Sequence, residues 1–78
     1  MRVEVRLFAT LRRCAQSAPG GVLTIDVPEG GRAADAIAKA GVDVREVHIL
    51  MINGISSTPD QVLAEGDRLG LFPPVGGG

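Results

Sequence analysis

The residues best placed to do chemistry stand at the end of the chain, where Gly76, Gly77 and Gly78 follow the segment Phe72-Pro73-Pro74-Val75. Glycines carry no side chain, so this end offers only its backbone and the free α-carboxylate of Gly78. Such a group does chemistry only when another protein acts on it. The pattern therefore indicates a carboxylate that is presented to a partner's active site.

The geometry of this tail suits the delivery of its terminal carboxylate to another protein. Proline fixes φ at about −65° and favours extended backbone, so Pro73 and Pro74 should make the tail leave the domain stiffly, whereas the glycines let it end flexibly. Fully extended, residues 73–78 span roughly 20 Å, enough to enter an active site. Glycine is costly to order, and termini fray unless tied down. On composition alone, a functionless disordered end is an alternative of considerable weight.

Other reactive residues are few. Cys14 and His48 are the chain's one cysteine and one histidine, and a Cys nucleophile with a His base is a known catalytic pair. They lack a third orienting motif, and free cysteine is commonly a small buried hydrophobe. His48 has no second His or Cys at ligand spacing, so we expect no metal site. Asp26, Glu29 and Asp35 form no convincing acid/base constellation and should be solvated.

Composition excludes several classes of protein. A chain of 78 residues makes one domain with a thin stability margin. A net charge of −1 argues against nucleic-acid binding, which needs a basic stripe. The single cysteine permits no internal disulfide and fits a reducing compartment. No apolar run approaches the ~20 residues of a membrane span, and the N-terminus resembles no signal peptide, so we expect a cytoplasmic protein that does not bind membranes.

The first half of the chain predicts two strands. Residues 2–8 alternate apolar and polar, which is typical of a half-buried strand, and Phe8 falls on the outward phase. Residues 9–16 predict a short helix. Residues 22–27 predict a second strand that ends at the turn residues after it.

The second half predicts the main helix and three more strands. Residues 32–40 carry apolar residues at helical spacing, with Gly41 as the left-handed residue at the helix end. Residues 47–52 carry apolar residues on both phases. This predicts a central strand that is covered on one side by the helix and on the other by something outside this chain or only partly in it. Asn53-Gly54 is a strong hairpin signal. Residues 68–72 predict the last strand, with Phe72 on its outward phase.

Together these elements predict an α+β fold in which a mixed sheet of about five strands wraps on one main helix. The first and last strands should lie parallel at its centre, so Phe8 and Phe72 should be outward-facing neighbours. We expect these two rings, with the outward phase of residues 47–52, to form a docking face. Simple packing of the rings under a loop is an equally weighted alternative.

Four segments, in register along nearly the whole chain, resemble the MoaD/ThiS family of ubiquitin-like sulfur carriers. They are Leu7-Phe8-Ala9-Thr10-Leu11-Arg12, Ile52-Asn53-Gly54, Leu63-Ala64-Glu65-Gly66-Asp67-Arg68-Leu69 and the ending from Leu71 to Gly78. The Phe-Pro-Pro-Val ending is more similar to the small subunit of molybdopterin synthase (MoaD) than to the thiazole carrier (ThiS). Gly76 departs from that subfamily, which more often has a side chain there.

The resemblance implies a β-grasp domain over residues 1–72 and a flexible Gly-rich tail over residues 73–78. It implies that an E1-like adenylyltransferase uses ATP and Mg²⁺ to adenylate Gly78, which then becomes a thiocarboxylate and donates sulfur to molybdopterin. Gly76 and Gly77 would pass through a channel too narrow for side chains.

The resemblance also implies partners. Phe8, Phe72, Pro73, Pro74 and Val75 would contact the E1-like enzyme and the large subunit of molybdopterin synthase (MoaE-like). The chain itself would bind no cofactor and would be a carrier rather than an enzyme. Two alternatives stay open: a carrier for thiazole, amino-acid or tRNA thiolation or a ubiquitin-like modifier of lysines, and a non-reactive β-grasp interaction module.

Overall fold

The structure, a computed structural model, describes residues 1–9, 11 and 19–74. Within them five strands and one α-helix follow the predicted order β-β-α-β-β-β. They are β1 (Arg2–Leu7), β2 (Val22–Asp26), α1 (Ala33–Lys39), β3 (Ile49–Ile52), β4 (Ile55–Ser57) and β5 (Arg68–Phe72). No helix of the described residues is long and apolar enough to cross a membrane.

The strands form one mixed sheet in the order β2-β1-β5-β3-β4. β1 and β5 run parallel, as predicted, and the other neighbours are antiparallel. The middle position belongs to β5, and β3 lies between β5 and β4. β3 begins at Ile49 rather than at residue 47, because Val47 still ends a short 3₁₀ turn and donates its N–H to Val44 O at 3.1 Å.

The alternating sequence of β1 produces the core. Val3, Val5 and Leu7 are at most 1% exposed, whereas their neighbours on the other phase stay at the surface. In β5, Leu69 and Leu71 are buried in the same way. Burying one such side chain stabilises the fold by about 1.5 to 3 kcal/mol. These aliphatic side chains carry the core, since both aromatic rings lie outside it.

Helix α1 covers the inner side of the core with small residues. Ala33, Ala36 and Ile37 are fully buried, so the helix axis can lie close to its neighbours. Arg32 precedes the helix as its N-cap, and its backbone N–H donates to Asp35 Oδ2 at 2.8 Å. It ends before Gly41, whose φ of 81° confirms the predicted left-handed position.

The Asn53-Gly54 hairpin is confirmed, and it is fastened to the start of β5. Both residues have positive φ, 53° and 81°, which suits the tight turn between antiparallel strands. The Asn53 side chain donates to Asp67 Oδ1 at 3.0 Å and accepts the N–H of Arg68 at 3.1 Å. Asp67 in turn accepts the N–H of Ala64 at 2.8 Å.

The short helix predicted for residues 9–16 lies mostly outside the described residues. Ala9 lies in a 3₁₀ turn and has a φ of 51°, outside the right-handed α-helical region. Leu11 is fully buried, and its N–H donates to Phe8 O at 3.1 Å. Cys14 lies outside the described part, so its suggested pairing with His48 stays a hypothesis.

Candidate docking face and tail attachment

Phe8 and Phe72 are brought together by the parallel pairing of β1 with β5. Leu7 is the register partner of Leu71, and the Phe8 N–H donates to Leu71 O at 3.2 Å. The two rings stack with 4.3 Å between their centroids and 4° between their planes. Both are half-buried on the outer face of the sheet. The prediction that Phe8 and Phe72 are outward-facing neighbours is therefore confirmed. Their contact with a partner protein stays a prediction.

The stacked rings stand beside Gly70, which leaves an opening in the sheet surface. A Cβ built on Gly70 would lie 3.4 Å from Phe72 Cε1, 3.5 Å from Phe8 Cε2 and 3.8 Å from Met51 Cβ. Glycine here makes the floor of an open depression of about 420 Å³. Its lining consists of Arg6, Phe8, Met51, Asn53, Gly54, Arg68, Leu69, Gly70 and Phe72.

Two arginines, Arg6 and Arg68, border this depression and share a carboxylate that lies outside its lining. Glu4 Oε2 lies 3.5 Å from Arg6 Nε and 3.9 Å from Arg68 Nε. Glu4 is the register partner of Arg68, and Arg6 is the register partner of Gly70. Two guanidinium groups therefore share one carboxylate next to an apolar opening. The side chains of Arg6 and Arg68 are 53% and 73% exposed, so both can be reached from solvent.

The predicted tail starts from a fixed point. His48 donates its backbone N–H to Phe72 O at 2.7 Å, and Ile49 is the register partner of Phe72. The last residue of β5 is thus held at its carbonyl by the segment entering β3 and at its ring by Phe8. Pro73 is half-buried and Pro74 is exposed. The predicted roles of Val75 and of residues 76–78 fall outside the described residues.

Among residues 1–9, 11 and 19–74, the other candidates considered from the sequence are not assembled into a catalytic site. Asp26 is exposed and pairs with Arg2 at 3.3 Å, and Asp35 caps α1. Glu29 and His48 are exposed. Over residues 1–9, 11 and 19–74, no group of three or more His, Cys, Asp or Glu is placed to hold a metal ion.

Within the part of the chain that the structure describes, one carboxyl group has a clearly shifted pKa. Asp43 caps the 3₁₀ turn before β3, where its Oδ2 accepts from Arg45 Nη2 at 2.8 Å and its Oδ1 accepts the Arg45 backbone N–H at 2.9 Å. The Arg45 side-chain hydrogen bond, followed by the backbone hydrogen bond, lowers the pKa of Asp43 from 3.8 to about 2. This pair orders the chain that leads into β3.

Sequence reasoning missed Gly70 and the shared carboxylate of Glu4 as parts of this face. The arginines were not assigned to this face, although Glu4 and Arg6 lie on the same strand phase as Phe8. Arg68 and Gly70 lie on the phase of Phe72. The available signal was this common phase, combined with the predicted parallel pairing of the two strands.

Comparison with known proteins agrees with this architecture. The ThiS family model matches residues 5–78. No curated protein matches the chain. Among solved structures, SAMP1 from Haloferax volcanii is 27% identical with a TM-score of 0.74, and the match covers 100% of both chains.

Two further structures are similar. The putative molybdopterin converting factor, subunit 1, from Pyrococcus furiosus is 28% identical with a TM-score of 0.74, over 96% of this chain and 99% of that chain. The small archaeal modifier protein 1 from Methanosarcina acetivorans is 22% identical with a TM-score of 0.74, over 99% and 96% of the two chains, a likeness of fold alone. Together with the five-stranded sheet, these matches confirm the β-grasp fold.

Proposed function

Because the chain belongs to the ThiS family of small ubiquitin-like carriers and modifiers, we propose that it carries sulfur as a thiocarboxylate on Gly78. The observation that carries this proposal is the extent of the family match, which runs through the tail to residue 78. The domain of residues 1–72 would bind the partner proteins, and residues 73–78 would carry the Gly78 carboxylate into their active sites. The catalytic groups would belong to partner proteins.

The chemistry follows from the properties of a carboxylate. At neutral pH the Gly78 carboxylate is ionised, since an α-carboxyl pKa is about 3.5, and it resists attack by nucleophiles. An E1-like adenylyltransferase, using ATP and Mg²⁺, would join it to AMP and release pyrophosphate. Hydrosulfide from the sulfur donor would then attack the carbonyl carbon; the C–S bond forms as the C–O bond to AMP breaks, AMP leaves, and loss of the sulfur proton gives the thiocarboxylate. Gly76 and Gly77 would let this carbon pass through a channel that excludes side chains.

The fold supports delivery because the tail begins at an anchored residue. Phe72 is held by hydrogen bonding at its carbonyl and by stacking on Phe8. A partner that grips the face around these rings would fix the origin of the tail. Ordering the glycines costs about 1 to 2 kcal/mol each. Because both rings are already half-buried, burying the rest of each ring returns only about 0.8 to 1.5 kcal/mol. Docking of Phe8 and Phe72, with Pro73, Pro74 and Val75, would therefore offset part of the cost of threading the tail.

We assign the carrier to molybdopterin formation as its first acceptor pathway. The support is the likeness to the Pyrococcus furiosus protein, which is named as a putative molybdopterin converting factor, subunit 1. The large subunit of molybdopterin synthase would then be the second partner and would receive the same docking face. Transfer of sulfur from labelled Gly78 thiocarboxylate to a pterin substrate, with that subunit present, tests this assignment.

The test of carrier function is intact mass measurement. The protein is incubated with an E1-like adenylyltransferase, ATP, Mg²⁺ and a sulfur donor. We expect a mass increase equal to the replacement of one oxygen by sulfur, located at Gly78 by fragmentation. An unmodified mass, under conditions in which a known carrier of the family is converted, would contradict the proposal.

A second candidate function is protein modification. It is favoured by the likeness to SAMP1 from Haloferax volcanii, which spans both chains completely and belongs to a protein class named as modifiers. Here a lysine amine, instead of sulfur, would attack the activated Gly78 carbonyl. Lys39 is the only lysine of this chain, so Lys39→Arg removes the single lysine acceptor for self-conjugation. An isopeptide-linked adduct on other proteins, formed with ATP, would support this function.

A further inference from the structure

The Asn53-Gly54 turn carries a chemical reactivity besides its turn geometry. Asn53 is the only asparagine of the chain, and asparagine is among the thermally labile residues of proteins. The side-chain amide of an asparagine can be attacked by the backbone nitrogen of the next residue. Glycine at that position has no Cβ to hinder the close approach. Both residues are exposed to water, so the turn has the composition of a deamidation site.

Deamidation at this turn needs only water as a co-reactant. The Gly54 backbone nitrogen loses its proton to solvent base and bonds to Asn53 Cγ, the bond from Cγ to Nδ2 breaks, and ammonia leaves. The product is a cyclic succinimide. Water then adds to one of its carbonyl carbons, and the bond from that carbon to the ring nitrogen breaks. Opening at Cγ gives aspartate, whereas opening at the main-chain carbon gives isoaspartate, in which the backbone runs through the former side chain.

In the folded protein the reacting amide is held at both of its ends. Asn53 Nδ2 donates to Asp67 Oδ1 at 3.0 Å, and Asn53 Oδ1 accepts the Arg68 N–H at 3.1 Å. Asp67 is itself fixed, because its Oδ2 accepts the Ala64 N–H at 2.8 Å. Closing the succinimide ring turns the amide toward the Gly54 nitrogen and away from these partners. The hydrogen bonds to the start of β5 therefore oppose the reaction.

We propose that Asn53 is a covalent modification site, protected from deamidation while Asp67 and Arg68 hold its amide and converted when the hairpin opens. Segments of a folded protein open locally at free energies below that of global unfolding. Conversion hinders reclosure: aspartate at position 53 sets a second carboxylate against that of Asp67, and like charges repel. Isoaspartate adds an atom to the backbone of the turn. Either product leaves the hairpin less firmly fastened to β5.

The position of the turn gives the modification a wider effect. Asn53 and Gly54 line the depression beside the stacked rings of Phe8 and Phe72. Conversion adds a negative charge to that lining, where Arg68 supplies a positive one. A modified molecule would therefore present an altered candidate docking face. Because the reaction involves neither Gly78 nor a partner protein, the proposal is independent of the carrier function.

The rate of deamidation tests the protection. Folded wild-type protein and Asp67→Ala are kept at mildly alkaline pH, and mass spectrometry with fragmentation follows the replacement of the Asn53 amide by a hydroxyl. We expect Asp67→Ala to react about tenfold faster or more, because the amide loses a partner that local opening must otherwise break. Asp26→Ala removes another aspartate, one that pairs with Arg2, and should leave the rate unchanged. Equal rates in wild type and Asp67→Ala would contradict the proposal.

A core variant separates local opening from global unfolding. Ile37 is fully buried in α1, and Ile37→Val lowers the stability of the whole domain without touching the hairpin. We expect it to change the deamidation rate by less than about threefold. A rise in proportion to its loss of stability in urea would show that global unfolding exposes the amide, which would overturn the protective role of Asp67 and Arg68.

Exchanging the two side chains tests the effect of the product. Asn53→Asp reproduces the aspartate product, and we expect a lower urea midpoint at neutral pH because two carboxylates then meet. Adding Asp67→Asn restores one amide and one carboxylate, with the hydrogen bond between them reversed and an oxygen left for the Ala64 N–H. The double variant should recover most of the midpoint. An unchanged midpoint in Asn53→Asp, or no recovery in the double variant, would show that conversion does not unfasten the hairpin by charge repulsion.

Discussion

Leu7 and Leu71 are register partners across β1 and β5, and this one pairing carries Phe8 onto Phe72. The leucines point into the core and are at most 1% exposed. The phenylalanines follow them in sequence and turn to the outer face. The same strand pair thus supplies the stability of the domain on one side and its proposed docking face on the other.

Removing either ring should weaken partner binding and leave the fold intact. Loss of the stack costs about 0.5 to 1.5 kcal/mol of stability. Because each ring is already half-buried in the free protein, loss of a ring that becomes buried in the complex costs about 0.8 to 1.5 kcal/mol of binding energy. We expect Phe8→Ser and Phe72→Ser each to reduce affinity for the adenylyltransferase about three- to tenfold in calorimetric titration. The control is Ile55→Ser. Ile55 is 72% exposed and lies on the strand phase opposite to that of the two rings. Unchanged affinity in both phenylalanine variants would remove this face from the account.

Truncating a core-facing side chain of the same strands should lower the free energy of unfolding of the domain. Leu71 is fully buried, and truncating such a side chain destabilises a protein by about 2 to 5 kcal/mol. In a chain of 78 residues this is a large part of the total stability. We expect Leu71→Ala to lower the urea midpoint strongly, and Ile55→Ala to change it very little. Similar midpoints for the two variants would show that β5 does not contribute to the core as described.

Asn53 stabilises the hairpin in two ways, through its side-chain hydrogen bonds with Asp67 and Arg68 and through its positive φ. Two substitutions separate these contributions. Asn53→Gly removes the hydrogen bonds to Asp67 and Arg68 but keeps a residue suited to positive φ, so we expect a loss of about 1 kcal/mol. Asn53→Ala adds the cost of a left-handed conformation, about 1 to 2 kcal/mol more. Chemical denaturation measures both. Equal stabilities of the two variants would mean that the turn relaxes out of the left-handed region without penalty.

The Asp43–Arg45 pair predicts a local dependence on pH. Asp43 has a folded-state pKa of about 2 against an ordinary value of 3.8, and a lowered folded-state pKa means that the charged form stabilises the fold. This stabilisation is present above the ordinary pKa and is lost as the pH falls toward about 2. In an NMR titration, Arg45→Ala should raise the midpoint of the Asp43 carboxyl toward its ordinary value. An unshifted midpoint in that variant would exclude Arg45 as the cause.

Much of the fold could be predicted from local patterns. The period-2 alternation of β1, the Ala-rich face of α1 and the Asn53-Gly54 turn each specify one element, because each pattern buries one face or requires one backbone conformation. Where residues 47–52 were predicted as strand, the 3₁₀ turn capped by Asp43 delays the start of β3 to Ile49. An apolar run alone does not show at which residue a preceding turn ends and the strand begins.

The candidate site was predictable in part. That Phe8 and Phe72 are neighbours follows from the expected parallel pairing of the first and last strands. Their stacking, the open floor at Gly70 and the sharing of Glu4 by two arginines depend on the register between β1 and β5. Register is fixed by the packing of the whole sheet, which no local pattern specifies.

The central claim is that the Gly78 carbonyl carbon is the reacting atom, and one comparison tests it most directly. A protein that ends at Gly78 and a variant extended by one alanine after Gly78 are incubated side by side with the adenylyltransferase, ATP, Mg²⁺ and a sulfur donor. Intact mass spectrometry then reads thiocarboxylate formation in each. The account predicts replacement of one oxygen by sulfur in the first protein and none in the extended variant, with equal thermal unfolding midpoints. Equal sulfur incorporation in both proteins would contradict it.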